Sequence, residues 1–299
     1  FADFDAVGNK RPDIVEPATN CISEFIHMVE VLLEKGYAYV AGGNVYFDTS
    51  KLDDYYVFSS DIEKEQLQVG VRDDVEEDTN KKNKTDFVLW FTKSKFEEQA
   101  LKWDSPWGVG YPGWHIECSC ISMKHLGEYI DIHCGGVDNI FPHHTNEIAQ
   151  SEACNGAPFA RYWMHNGYIN VDGRKMSKSL NNFFTVRDIR EKYTGDVIRF
   201  FLLSGHYRSP IYFSDLLMEQ SKQGYDRIAT AIETLEFLKA NGTDEPMADE
   251  AEKLASLDQY REKFIEVMDD DLNTADGIAA VFELVSEINL TVKDGASIS

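Results

Sequence analysis

The sequence predicts an α/β domain followed by an all-helical region, and three observations carry that prediction. Between residues 115 and 171, helix, strand, glycine loop, helix and strand patterns alternate, the rhythm of a parallel sheet whose ligands sit at strand carboxyl ends. From Phe213 onward, "LLMEQSKQGYDRIATAIETLEFLKA" and "LNTADGIAAVFELVSEINL" keep helical apolar spacing throughout, which predicts a helix bundle. The chain has 299 residues, 43% of them apolar, enough for two or three domains with cores of their own.

In chain order, residues 17–36 read as an amphipathic helix. Ile22, Phe25, Ile26, Val29, Leu32 and Leu33 form its apolar stripe, and Gly36 is placed to end it. "YAYVAGGNVYFDT" predicts a β-hairpin turning at Gly42-Gly43-Asn44. Residues 61–85 are charged and aperiodic, a solvated loop or weak helices. "WDSPWGVGYPGW" holds three tryptophans and two prolines and predicts a loop that another element presses against. A helix from about His115 to Leu126 follows, then the strand "YIDIHC", the loop "GGVDN", a helix from about His143, and a strand region near "RYWMHNGYINV". No internal repeat interrupts this order.

Composition excludes several classes. No run approaches the roughly 20 apolar residues of a membrane span, and no secretory signal is present. A formal charge of −23 argues against a passive nucleic-acid coat while leaving room for a local basic site. Five cysteines, an odd number without a small-secreted-domain pattern, fit reduced thiols in a cytoplasm.

Two stretches carry chemistry. In "FPHHTNEIAQS", His143 and Glu147 stand one helical turn apart on one face, with His144 and Glu147 the next pair. Such a pair binds metal, works as acid and base, or caps a helix, and only partners from elsewhere decide among these. Cys118, in "GWHIECSC", is one such partner: sulfur, imidazole and carboxylate together suit tetrahedral zinc. The bland alternatives are a buried apolar cysteine and a satisfied core histidine, the latter being the expectation for His144. Cys120 has no second cysteine pair to complete a four-cysteine site. In "DGRKMSKSLNN", Gly173 permits a tight turn, while Arg174, Lys175 and Lys178 place positive charge among hydroxyls. A basic turn of this kind is either solvated surface or a clamp for a triphosphate.

"KMSKS" is the second signature of class I aminoacyl-tRNA synthetases. With "GYPGWHIECS", "DIHCGGVDNIFPHHTNEIAQSEA", "MHNGYINVDGRKMSKSLNN", "SGHYRSPIYFS" and "DDDLNTADGIAAVFEL", the chain closely resembles the cysteinyl-tRNA synthetase family over nearly its whole length. The resemblance implies a Rossmann-like catalytic domain, present here in its second half and carrying a connective insertion, before the helix bundle. It divides the chain into the insertion (1–104), the catalytic half (105–182), a stem-contact-like region (183–212) and an incomplete bundle (213–299). It implies that Cys118, His143 and Glu147 are three ligands of one zinc ion, the fourth being a cysteine in a first strand with no counterpart here. Trp114 matches the aromatic wall of the amino-acid pocket and His133 the histidine near the substrate thiol. Gly135, Gly136 and Asp138 match the adenosine-binding loop, and Lys175 and Lys178 the catalytic, phosphate-handling lysines. The implied reaction is ATP-dependent activation of cysteine, Mg2+ accompanying the ATP, and transfer to tRNA(Cys). No motif sets the oligomeric state, and a monomer is the default expectation.

Three positions depart from the pattern: Cys134 replaces a glycine, Tyr111 an arginine and Thr145 a glutamate. The H-x-G-H signature of the first nucleotide-binding half does not occur. With a first residue other than methionine, this predicts a fragment that is inactive alone. The competing readings are a ligase joining cysteine to an amino-sugar and a catalytically silent zinc-binding paralogue. "HHTNEIAQSEA" and the acidic helical region look more like the synthetase.

Overall fold

The computed structural model describes residues 1–58, 78–94, 98–171, 173–180, 182–242 and 250–292. Contacts divide the chain into two compact units, residues 14–165 and residues 1–13 with 166–299. These units cut the chain differently from the expected segments, which broke at 104, 182 and 212. The reason lies in packing: the first long helix and the strands after it share one core with residues beyond 105.

In the unit spanning 14–165, helix α1 (Ile22–Glu34) buries Phe25, Val29 and Leu32 of the expected stripe together with Met28, which the stripe did not include, while Ile22, Ile26 and Leu33 are partly buried against the same core. It ends where expected. Gly36 takes φ +79°, its N–H donates to the Leu33 carbonyl, and Tyr37 N–H donates to the Leu32 carbonyl. These two bonds satisfy carbonyls that the last turn leaves open. Strands β1 (Ala38–Ala41) and β2 (Asn44–Phe47) pair antiparallel with Ala41 opposite Asn44, so Gly42 and Gly43 alone form the turn. β3 (Phe87–Phe91) and β4 (Tyr111–Pro112) extend this antiparallel sheet in the order β1-β2-β3-β4. The tryptophan-rich stretch therefore contributes a strand rather than a loop throughout. Trp103 and Gly110 exchange backbone hydrogen bonds, and the Trp107 ring lies 6.0 Å from Trp90 in the core. Of the charged tract, residues 61–77 lie outside the described residues. The remainder turns around Asp86, a buried carboxylate that accepts from Tyr39 Oη, Thr49 N and Asn83 N.

Helices α2 (Trp114–Leu126) and α3 (Thr145–Asn155) pack on this core, with Gln150 Nε2 and Ser151 Oγ both hydrogen-bonded to Ser119 Oγ. β5 (Ile130–Gly136) and β6 (Ala160–Asn166) form a separate two-stranded sheet. β5 continues through Gly135 and Gly136, which were expected in the loop; the loop itself is reduced to a 3-10 turn at Val137–Asn139.

In the other unit, β7 (Ile169–Val171) pairs antiparallel with β8 (Arg174–Lys175) and parallel with β9 (Ile211–Phe213). Helix α4 (Gly195–Leu203) buries Val197, Ile198 and Phe201 in a core with Met218 and with Val7 from the chain start. The expected all-helical region is present as α5 (Asp215–Asn241), α6 (Glu250–Asp269) and α7 (Thr274–Thr291). Side-chain caps open two of these helices: Ser214 Oγ accepts from Leu217 N, and Asn273 Oδ1 from Asp276 N. Among the described residues, no helix is long and apolar enough to cross a membrane.

Candidate metal centre and basic turn

Helix α3 buries most of its polar residues, namely Thr145, Asn146, Glu147, Gln150 and Ser151. A carboxylate at full burial needs cationic or donor partners. Those of Glu147 are imidazoles. Its Oε1 lies 2.9 Å from His143 Nε2, and its Oε2 lies 3.0 Å from His133 Nε2. The expected one-turn pairing of His143 with Glu147 is thus present, and β5 supplies the opposite face. Neither carboxylate oxygen completes a well-directed hydrogen bond. Burial works against the charged carboxylate, but the contacts with His133 and His143 outweigh it and hold the pKa at about 2.

The third expected ligand comes from α2. Ligand atoms of Cys118, His143 and Glu147 all lie within 4.8 Å of one another, and the same holds for His133, His144 and Glu147. Burial, with the charges of Glu147 and Glu117, pushes the Cys118 thiol up to about 12. As a free group it is therefore protonated and a poor nucleophile. The donors fit a soft divalent cation: one sulfur, one imidazole nitrogen, and a fully buried carboxylate with two undirected oxygens.

Two histidines missed by sequence reading orient the others. His115 Nδ1 lies 2.8 Å from His143 Nδ1, and His165 Nε2 lies 2.8 Å from His144 Nδ1. Burial pushes the His115 pKa down to about 3 and that of His144 down to about 4, so both rings are neutral near pH 7. A neutral ring held through one nitrogen presents the other in fixed orientation. A signal for both existed: His115 stands three residues before Cys118 on one helix, and strand alternation places Trp163 and His165 on one face of β6.

The residues expected around the pocket fall into place unevenly. His133 sits in a ring of aromatic groups, its centroid 4.9 Å from His144, 5.6 Å from Phe159 and 4.7 Å from Trp163. Trp114 lies with its ring centroid 4.4 Å from that of His143, yet 64% of the residue is exposed. Gly135 is required by close approach: a Cβ there would stand 2.5 Å from His144 Cε1. At Gly136 it would stand 2.5 Å from Asp138 Oδ1, which places Asp138 beside the strand end. Cys134 is exposed.

In the other unit, Gly173 turns the chain at φ +74° and brings Arg174 and Lys175 back along β7. Met176 N–H donates to the Ile169 carbonyl, and Asn182 ties the turn by accepting from Ser177 N and donating to the Lys175 carbonyl. Lys175 and Lys178 are both exposed. Lys175 Nζ lies 3.8 Å from the Tyr168 ring centroid and Lys178 Nζ 5.4 Å from that of Phe183. The turn is thus internally bonded, and its two lysines are exposed with their ammonium groups over aromatic rings.

Comparison with known proteins agrees with these features. Residues 1–223 match the family described as tRNA synthetases class I (C) catalytic domain, and residues 263–299 match the DALR domain. The chain is 48% identical to a cysteine--tRNA ligase of Clostridioides difficile, an alignment covering 100% of this chain and 63% of the relative. It is 49% identical to a cysteine--tRNA ligase of Symbiobacterium thermophilum, covering 99% and 63%. In fold it is similar to Mycobacterium tuberculosis methionyl-tRNA synthetase in complex with methionyl-adenylate, with a TM-score of 0.67 over 98% of this chain and 69% of that one, at 13% identity. The chain therefore spans 63% of the length of these curated relatives.

Proposed function

Since the chain belongs to the class I (C) tRNA synthetase catalytic-domain family, we propose that it serves an enzyme that activates cysteine with ATP and transfers it to tRNA(Cys), in a reducing cytoplasm. The single observation that carries the reading is the convergence of Cys118, His143 and Glu147 on one buried point. In the first step a cysteine carboxylate oxygen attacks the α-phosphorus of ATP, and the bond to the β-phosphate oxygen breaks, releasing pyrophosphate. In the second, a terminal ribose hydroxyl of the tRNA attacks the acyl carbon; AMP leaves and the hydroxyl proton is lost. No covalent enzyme intermediate is needed, so the protein supplies position and charge.

Cys118, His143 and Glu147 would hold zinc, with His115 fixing the His143 ring from behind. Zinc supplies a soft Lewis acid that prefers a thiolate to a hydroxyl. Trp114 and His133 flank that point, Trp114 covering His143 and His133 held against Glu147. Gly135, Gly136 and Asp138 are assigned to the adenosine and its sugar. Lys175 and Lys178 are assigned to the phosphates of Mg-ATP, where exposed ammonium groups meet developing charge.

The test uses the full-length protein in an ATP–pyrophosphate exchange assay, followed by transfer to tRNA. Exchange is expected only with cysteine, and the product ester on tRNA(Cys). Exchange that leads to acylation of an amino-sugar and not of tRNA would overturn the reading in favour of the thiol-metabolism ligase. Absence of cysteine-dependent exchange would overturn it in favour of a silent paralogue.

A further inference from the structure

We propose that Asp271 is a positioning residue, which ties the basic turn at 173–182 to the hairpin formed by α6 and α7. The inference rests on the reaction proposed above, to which that turn contributes its lysines. Among the described residues, Asp271 and Leu272 are the non-glycine positions with positive φ, +56° and +54°. Two successive L residues hold this conformation only where their surroundings fix it.

The surroundings are three consecutive side chains of the loop after α4. Arg208 Nε and Nη2 both donate to the Asp271 carboxylate, and Tyr207 Oη donates to its Oδ1 at 2.7 Å. His206 Nε2 stands 3.7 Å from Oδ2. A second tie runs from Thr274 Oγ1 to the Gly205 carbonyl at 3.4 Å. The Arg208 guanidinium, with Tyr207, holds the Asp271 carboxyl at about 2. An exposed ion pair alone counts for little. Here a two-pronged guanidinium and a phenol meet one carboxylate, which fixes direction as well as charge.

Tyr207 reaches both ways. Its hydroxyl holds Asp271, while its carbonyl accepts from Gly167 N at 2.7 Å, just before β7. The next links are all backbone: Ile211 N–H to the Tyr168 carbonyl at 2.8 Å, and Met176 N–H to the Ile169 carbonyl at 2.8 Å. Lys175 completes the route over the Tyr168 ring. From the helical hairpin to the "KMSKS" turn, the connection passes through one side-chain cluster and one small sheet. Loosening Asp271 therefore frees the strand that carries Lys175.

Hydrogen–deuterium exchange on the full-length protein measures this coupling, alongside ATP–pyrophosphate exchange at varied ATP and varied cysteine. In Asp271→Asn, amides of 169–178 are expected to exchange about tenfold faster, the low end for losing a charged hydrogen bond. The KM for ATP should rise several-fold while that for cysteine stays within about twofold, as a purely local loss of folding would not produce. Tyr207→Phe should shift both readouts in the same direction by less, and it decides the matter if Asp271→Asn fails to fold. Faster exchange confined to 266–276, with ATP dependence unchanged, would overturn the proposal. If the wild type shows no cysteine-dependent activity, the proposed reaction fails instead, and the amide-exchange arm still decides whether Asp271 holds the turn.

Discussion

His143→Ala in the full-length protein is expected to lose its bound zinc and most of its preference for cysteine over serine. The two amino acids differ by one atom, and an ordinary pocket separates near-isosteres by only about 10- to 200-fold. Stronger discrimination needs a group that treats sulfur and oxygen differently, and zinc on the proposed set of Cys118, His143 and Glu147 would be such a group. Removing His143 deletes one donor and leaves the fully buried Glu147 without its 2.9 Å contact at Oε1, where His144 Nε2 stands at 4.0 Å. Metal content by atomic emission and the ratio of cysteine to serine activation are the readouts, with circular dichroism to establish folding. A folded variant that loses zinc yet rejects serine as strongly as before would remove His143 from thiol selection.

Lys175→Ala and Lys178→Ala are expected to slow adenylate formation by about 100-fold each, the loss typical of one stabilising donor. Cysteine binding should hardly change. The reason is that charge accumulates on the phosphates as pyrophosphate departs, so an ammonium group acts in the transition state more than in the ground state. Both lysines are exposed, with their ammonium groups over the Tyr168 and Phe183 rings, and the turn's bonds to Asn182 run through the Ser177 N–H and the Lys175 carbonyl, which truncation of the side chains leaves in place. Pre-steady-state activation at saturating substrates is the measurement. Unchanged rates in both variants would return the turn to solvated surface.

Much of the candidate site was legible because its geometry is local. His143 and Glu147 are one helical turn apart, so the spacing alone places them together, and Cys118 came from its own motif. The supporting contacts were not legible for the same reason. His115 and His165 reach their partners across 28 and 21 positions, and no periodicity encodes a contact made by packing. Gly135 illustrates a different failure. A glycine pair reads locally as a turn, whereas here β5 runs straight through it and the missing side chain makes room for His144. The helices after Phe213 were plain from their spacing, since amphipathic periodicity over long segments is the strongest local signal. That Val7 packs with Val197, Ile198 and Phe201 was not, because a short segment so far away in the chain carries no pattern that names its partner. Trp114 stands between the two cases: its place beside His143 followed the motif, while its exposure came from the fold.

The central claim is that the thiol is selected by a metal held on Cys118, His143 and Glu147. Its most direct test is the cysteine-to-serine activation ratio of the full-length wild type before chelation, after chelation, and after zinc is restored. Chelation is expected to drop the ratio to about 10- to 200-fold, as for an ordinary pocket, and zinc to restore it. A ratio that stays high in protein shown to be metal-free would contradict the account.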